Sequence, residues 1–383
     1  MTTEPLHTDP RPALPRSTTL LLALGGATVT AFGIAAIRGV FTPVFLAFVL
    51  TLCVHPLRSR LHSHGVQRGL ATGTSIAAVF ALLVAFAAVL VLALAQFSSL
   101  LPQFAPQLDR AGVAVSELLA SVGFGTDQTD AVQEGFTPGR ILEFINGLLG
   151  SITSMVSSLV VVLTMLILMA VDGSRVPALL TYLNPHRPEL VAALVGFGRG
   201  VRRYMVATTV LGVAQGAFNW LVLVLLQVPG ALLWGLLSFI CSFIPNVGYF
   251  IAIIPPLFFG FLSGGWPTAI GVIIVYGVIN SAIQSVIQPR YIGNAVSLSE
   301  TLTFVSVLFW ALVLGPVGAV LAVPLTLLVR AVLLDADPST TWRRALTGDR
   351  ANLEEILRDE DDEIRTRRAR WGPRRPSPRE GQA

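Results

Sequence analysis

Three amide side chains, Asn280, Gln284 and Gln288, recur every four residues inside an otherwise apolar stretch, so a helix would carry them along one face. Ser281 and Ser285 stand beside them. Gln215 and Asn219 form a second pair at the same spacing. Amides and hydroxyls donate and accept hydrogen bonds without charge, which is the chemistry that would hold an uncharged, hydroxyl-rich solute. The same groups also tie helices together in a membrane, each contributing about 0.6 to 2 kcal/mol. Their neighbours decide between the two uses.

Those neighbours are two apolar segments, each broken near its middle. The first break reads Ile244-Pro245-Asn246-Val247-Gly248 and the second Gly315-Pro316-Val317-Gly318, with Pro255 and Pro324 following. Such breaks free backbone N–H and C=O groups, which a membrane tolerates only where protein or a water-filled cavity covers them. Paired interruptions point to a transporter's binding site. The expected tips are Pro245, Gly248, Gly315, Pro316 and Gly318. The expected solute path is Gln215, Asn219, Asn246, Asn280, Gln284 and Gln288.

No Asp or Glu occurs between Glu189 and Glu300. Ionisable residues within spans mark proton relays and ion sites, so this core disfavours coupling through a buried carboxylate. The alternative transport reading, monovalent cation/proton antiport, would use tip carbonyls with Asp172 or Glu300. Catalysis is not expected, because no histidine shares a helical face with an acid or serine in the manner of a triad. No cofactor or metal is expected either: His62 and His64 lack carboxylate or thiol support, and Cys53 and Cys241 lie singly in apolar runs.

The elements that must position these residues are membrane helices. Hydrophobic residues make up 53% of the chain, charged residues only 13%, and mean hydropathy is +0.72. Soluble domains carry about a quarter charged residues, and barrel strands would give weak alternating segments of about ten residues. The expectation is an all-α polytopic protein with about six full spans plus two broken helices or re-entrant hairpins, about eight membrane segments in all. Residues 1–17 are expected to be a cytoplasmic tail and 18–95 the first three spans, the second ending at His55-Pro56. Residues 96–147 form an external amphipathic region, and 148–203 a fourth span with a cytoplasmic arginine-rich loop. Residues 204–334 hold both breaks, around an unbroken span from Trp266 to Ile287, and 335–383 are a charged cytoplasmic tail expected to lack fixed structure.

All 26 basic residues are arginine, and their loops report orientation. Both termini are placed in the cytoplasm, the chain crossing the membrane several times. Each break could be a kinked span or a hairpin. Hairpins put Arg290 inside, in better accord with the charge rule, and make 204–262 and 266–330 inverted repeats. The expected partners are the lipid bilayer, a small polar solute and further copies of the chain, with no nucleic acid. A non-transporting scaffold, binding partners through the amphipathic region and tail, is the reading from another class.

The order of motifs resembles the autoinducer-2 exporter family of bacterial membrane proteins. It runs from Asp172-Gly173 through Val228-Pro229-Gly230-Ala231, Ile244 to Gly248 and Ile287-Gln288-Pro289-Arg290-Tyr291-Ile292-Gly293, to the run from Gly315 to Pro324. The resemblance spans about Leu20 to Leu334 and implies a multi-pass permease. Some relatives export the furanone-derived signal autoinducer-2, and others are linked to sodium or proton antiport. This chain departs from the family pattern at Asn246 and Tyr249 on the first tip, at Gln288, where glutamate is frequent, and at Ser299-Glu300, where histidine-proline is usual. Ala207-Thr208 stands near Tyr204 where relatives carry glycine-glutamine. The neutral Gln288 weighs against antiport.

Overall fold

The computed structural model describes residues 16–123, 125–135, 137–288 and 298–336. The expectations for residues 1–15 and 337–383, and the placement of Arg290, fall outside them. Among the described residues all regular structure is helical, as the composition predicts.

Helix α1 (Arg16–Ala36) meets α2 (Arg38–Ser63) at 92°. Helix α2 does not stop at His55-Pro56 as expected; it continues through both Pro43 and Pro56 to Ser63. Helix α3 (Arg68–Leu100) leads through a short 3-10 turn into α4 (Ala105–Ser121), and α5 (Thr126–Gly135) follows a turn at Gly123. Helix α6 (Pro138–Asp172) ends at the predicted Asp172-Gly173, and the short α7 (Val176–Leu183) bends away by 53°.

The long α8 (Pro188–Leu225) carries one correction. Arg199, Arg202 and Arg203, read from the sequence as part of a loop, lie inside this helix. The physical reason is that arginine is a good helix former, so a polar stretch opened by Pro188 at the first helical position need not end a helix.

By length and composition, Gly69–Ser121, Pro188–Leu225 and Gly248–Ile287 could each cross a membrane, and each of the bent pairs α1/α2 and α6/α7 could supply one more span. The chain is thus a multi-pass membrane protein. The stretch Gly248–Ile287 is not one straight rod. A Cβ on Gly260 would lie 3.4 Å from a Val272 methyl group, whereas twelve residues along a straight helix span about 18 Å. The chain therefore folds back at Gly265, whose φ of 65° and ψ of −158° belong to a region open essentially to glycine alone.

The two Pro/Gly breaks resolve as hairpins rather than kinks. Helix α9 (Ala231–Cys241) and the first arm of α10 (Gly248–Ser281) are antiparallel, because the Trp234 and Phe259 rings stack with centroids 5.7 Å apart. A single kinked helix would separate those rings by about 35 Å. Helix α11 (Glu300–Leu314) likewise turns back at Gly315 into α12 (Pro316–Val320) and α13 (Ala322–Arg330), and Trp310 Nε1 donates to Thr326 Oγ1 at 3.1 Å. Gly315 repeats the Gly265 conformation, with φ 77° and ψ −159°.

Helix α8 is the spine. Its first half, with Phe197, Val201, Tyr204 and Met205, joins Phe45 and Val49 of α2 and the second hairpin in one apolar cluster. Phe243, Ile244 and Val247 of the first tip enter that same cluster beside Leu314, Val317 and Ala319 of the second, so the two tips converge. The other half of α8 grips the first hairpin through small residues. A Cβ on Gly216 would approach the Gly235 carbonyl oxygen to 2.7 Å, so the two backbones pack in direct contact. Phe97 of α3 closes this side with its ring edge on Trp234 and Phe259 at 5.0 and 4.8 Å.

Candidate functional site

Breaking a helix at Pro245 leaves carbonyls without their usual amide partners. The buried hydroxyl of Tyr204 on α8 donates to the Phe243 carbonyl oxygen at 3.2 Å, which satisfies one of them. Tyr204→Phe should therefore lower stability by about 1 to 3 kcal/mol, the cost of a buried acceptor left unpaired. Thermal unfolding of the purified protein checks this.

Asn246 sits at the tip itself with φ 64°, a left-handed conformation that asparagine tolerates better than most residues, and its side chain is exposed. Its type is explained by the turn. Asn246→Gly should therefore preserve both folding and transport, whereas Asn246→Val should impair folding.

A hydrogen-bonded polar junction forms where α8, α9 and the second arm of α10 meet. Asn219 is buried on α8, and its Nδ2 donates to Ser238 Oγ on α9 at 3.1 Å. Ser238 Oγ lies 2.9 Å from the Trp234 carbonyl oxygen and 3.3 Å from the Tyr276 hydroxyl. A serine hydroxyl has one proton and two acceptor sites, so donating to Trp234 and accepting from Asn219 and Tyr276 saturates it. The group left over is Asn219 Oδ1, which is buried and has no partner among the described residues.

Asn280 lies one helical turn beyond Tyr276, and its Oδ1 is likewise buried without a partner among the described residues. Gln215 is buried one turn before Asn219 on α8. Two buried acceptor oxygens, one on α8 and one on the second arm of α10, thus have no donor among the described residues. Unpaired buried acceptors are costly, so a donor offered to either oxygen would be bound favourably.

Gln284 and Gln288 lie on and just beyond a different kind of turn. The sequence places them with Asn280 on one α-helical face, but residues Ala282–Ile287 form a π-helical segment. Its turn of slightly more than four residues still brings side chains four apart close to one face, so the spacing of the amides survives the change of register. Both glutamines are half-buried and continue from the junction toward the end of the helix. The span from Trp266 is therefore not unbroken in its hydrogen-bond register.

Sequence reasoning missed three members: Tyr204, Ser238 and Tyr276. Tyr276 had a signal, since it precedes Asn280 by four and extends the amide stripe by one turn. Ser238 had none, being one hydroxyl in an apolar helix.

The antiport residues lie elsewhere. Asp172 and Glu300 are exposed at helix ends, and Glu300 sits in the first turn of α11 behind the Ser299 cap, where a carboxylate complements the helix dipole. Among the described residues no three His, Cys, Asp or Glu side chains gather as a metal would require, and both cysteines are free.

Residues 20–336 match the family described as AI-2E family transporter. The AI-2 transport protein TqsA of Escherichia coli K12 is 28% identical over 314 residues, covering 82% of this chain and 91% of the relative. The putative transport protein YhhT of the same strain is 27% identical over 307 residues, covering 80% and 88%. A putative transport protein of Haemophilus influenzae is 26% identical over 335 residues, covering 86% and 96%.

Proposed function

We propose, from the premise that this chain belongs to the AI-2E family of transporters, that it exports a small, uncharged, hydroxyl-bearing solute across the cytoplasmic membrane. The observation that carries this reading is that the amide oxygens of Asn219 and Asn280 are buried without a partner among the described residues, in a stretch with no Asp or Glu between Glu189 and Glu300. Those oxygens ask for donors, and a hydroxyl-rich solute supplies donors without the desolvation cost of an ion. Gln215, Gln284 and Gln288 extend the polar path on either side of it. The likeness to a protein named for AI-2 transport makes autoinducer-2 the first solute to test. Both termini are placed in the cytoplasm.

The test is efflux from inside-out and right-side-out vesicles. Asn280→Ala combined with Gln284→Ala should cut efflux at least about tenfold while the protein still inserts and folds, the loss expected when hydrogen bonds to a solute's transition state are removed. Unchanged efflux of every candidate solute sinks the site.

Unpartnered oxygens also suit a monovalent cation, which favours antiport as the second reading. A pH-sensitive dye in vesicles given sodium pulses separates the two, because proton movement on sodium addition rejects the neutral-solute reading. A scaffold predicts instead that cellular function survives when both tips are replaced by unbroken leucine-rich helix.

A further inference from the structure

Helix α2 runs through Pro56, which has no backbone N–H. The carbonyl of Leu52, four residues earlier, therefore cannot receive its usual helical hydrogen bond. Another helix supplies a donor instead: Arg202 Nε of α8 donates to the Leu52 carbonyl oxygen at 3.0 Å. Packing brings the two together. Phe48 of α2 stacks on Phe197 of α8 with ring centroids 6.0 Å apart, and a Leu52 methyl group lies 3.8 Å from where a Cβ on Gly198 would stand. Arg202 is one turn beyond Gly198 on the same stripe of α8.

Tyr204, two residues on, does the same for the first tip by donating to the Phe243 carbonyl oxygen at 3.2 Å. Successive residues of an α-helix turn by about 100° and rise about 1.5 Å, so the two side chains leave α8 on nearly opposite sides and at nearly one level. At that level α8 is held between α2 and the first tip, each hold made on a carbonyl of a proline-interrupted helix.

We propose that Arg202 is a positioning residue for transport, a clasp on the carbonyl freed by Pro56 that fixes the level at which α8 presents Tyr204 to the first tip. Its part in transport rests on the export reading above; the clasp itself does not. A guanidinium suits the task, because a hydrogen bond from a charged donor is roughly twice as strong as one between neutral groups. An arginine present only to pack or to face water would be indifferent to the residue at position 56. A clasp on the freed carbonyl depends on it, and that dependence is what the experiment reads.

The experiment is a double-variant cycle on the purified full chain, reading the melting temperature and the rate of maleimide labelling at Cys53. That thiol follows Leu52 and packs, half-buried, against the cluster that α2 and α8 share. Peptide mass spectrometry separates it from the buried Cys241. Arg202→Met keeps an aliphatic stem and removes every donor. It should lower the melting temperature by about 5 °C and speed labelling about tenfold, the changes expected when a hydrogen bond from a charged donor is lost. Pro56→Ala should fold, since alanine is the better helix former, and it gives Leu52 an amide of its own. In that background Arg202→Met should lower the melting temperature by no more than about 2 °C. Efflux of autoinducer-2 from vesicles should fall about tenfold in Arg202→Met, as the clasped population does. Equal losses of melting temperature in both backgrounds, unchanged labelling, or a loss of folding that Pro56→Ala does not rescue overturns the clasp. Unchanged efflux beside faster labelling overturns its part in transport. Melting and labelling need no solute, so these failures are distinct from a parent that exports no candidate solute, which overturns the export reading.

Discussion

Gly248→Val and Gly318→Val should each yield no monodisperse protein on extraction, or protein whose stability has fallen by more than about 4 kcal/mol, the range reserved for specific and severe lesions. The two glycines do the same work in the two hairpins. A Cβ on Gly248 would collide with the carbonyl oxygen of Cys241, and one on Gly318 with that of Trp310. In each case the obstacle is the backbone of the opposite arm, which cannot rotate aside as a side chain would. Accommodating even a methyl group means prying the hairpin open at its tip, where Phe243, Leu314 and Ala319 share one apolar cluster. Against a total stability of about 5 to 15 kcal/mol, the whole convergence of the tips should be lost. Gly150→Val is the control, because a Cβ there meets nothing within 4 Å. Size-exclusion profiles and melting curves of the three variants decide the matter. A well-folded Gly318→Val protein with an unchanged melting temperature would sink the account of the tip.

The breaks themselves were legible in the sequence because proline removes an N–H and a following glycine permits what other residues cannot. The direction of the chain after each break was favoured only by the charge rule at Arg290, not by any local pattern. It depends on contacts such as Trp234 with Phe259 and Trp310 with Thr326, between residues too far apart in sequence for any local pattern to register. Local pattern misled where composition and conformation diverge, as at Arg199 to Arg203, which continue a helix despite their charge. It also gave no sign of the π-helical segment Ala282–Ile287, which inserts no characteristic residue and yet shifts the hydrogen-bond register beneath Gln284 and Gln288. The candidate site was half legible. Its amides stood out as polar residues in apolar runs, while Ser238 acquires meaning only by lying between Asn219 and Tyr276.

The tips and the polar junction are mechanically joined through α8. Tyr204 holds the first tip by its carbonyl, and the same helix, a few turns later, presents Asn219 to the junction. A movement of the first hairpin relative to α8 would therefore alter the junction and the tip together. The packing at Gly216 and Gly235 permits such a movement to be a slide, since two backbones in direct contact interlock fewer side chains than a ridged interface.

Asn219→Leu separates a solute site from packing glue, and its expected signature is a large loss of transport with a small loss of stability. The residue contributes one hydrogen bond, to Ser238, and Ser238 keeps its partners Trp234 and Tyr276 when that bond is removed. Interhelical bonds of this kind average about 0.6 kcal/mol and reach about 1.7, so the melting temperature should fall only slightly. Leucine also removes the unpartnered Oδ1, which relieves a buried acceptor rather than creating one. If that oxygen receives a donor from the solute, efflux should fall at least about a hundredfold, because a polar site deprived of its matched group discriminates far more strongly than an apolar contact does. If the amide only ties α8 to α9, efflux should track stability and stay within about twofold of the parent. Asn219→Asp sharpens the comparison, since it keeps the acceptor and introduces a carboxylate into a region of the chain that has none between Glu189 and Glu300. Transport by that variant should become pH-dependent and recover as the carboxyl is protonated at low pH, where it regains neutrality. A parent-like, pH-independent rate in Asn219→Asp would place the solute elsewhere than at this junction.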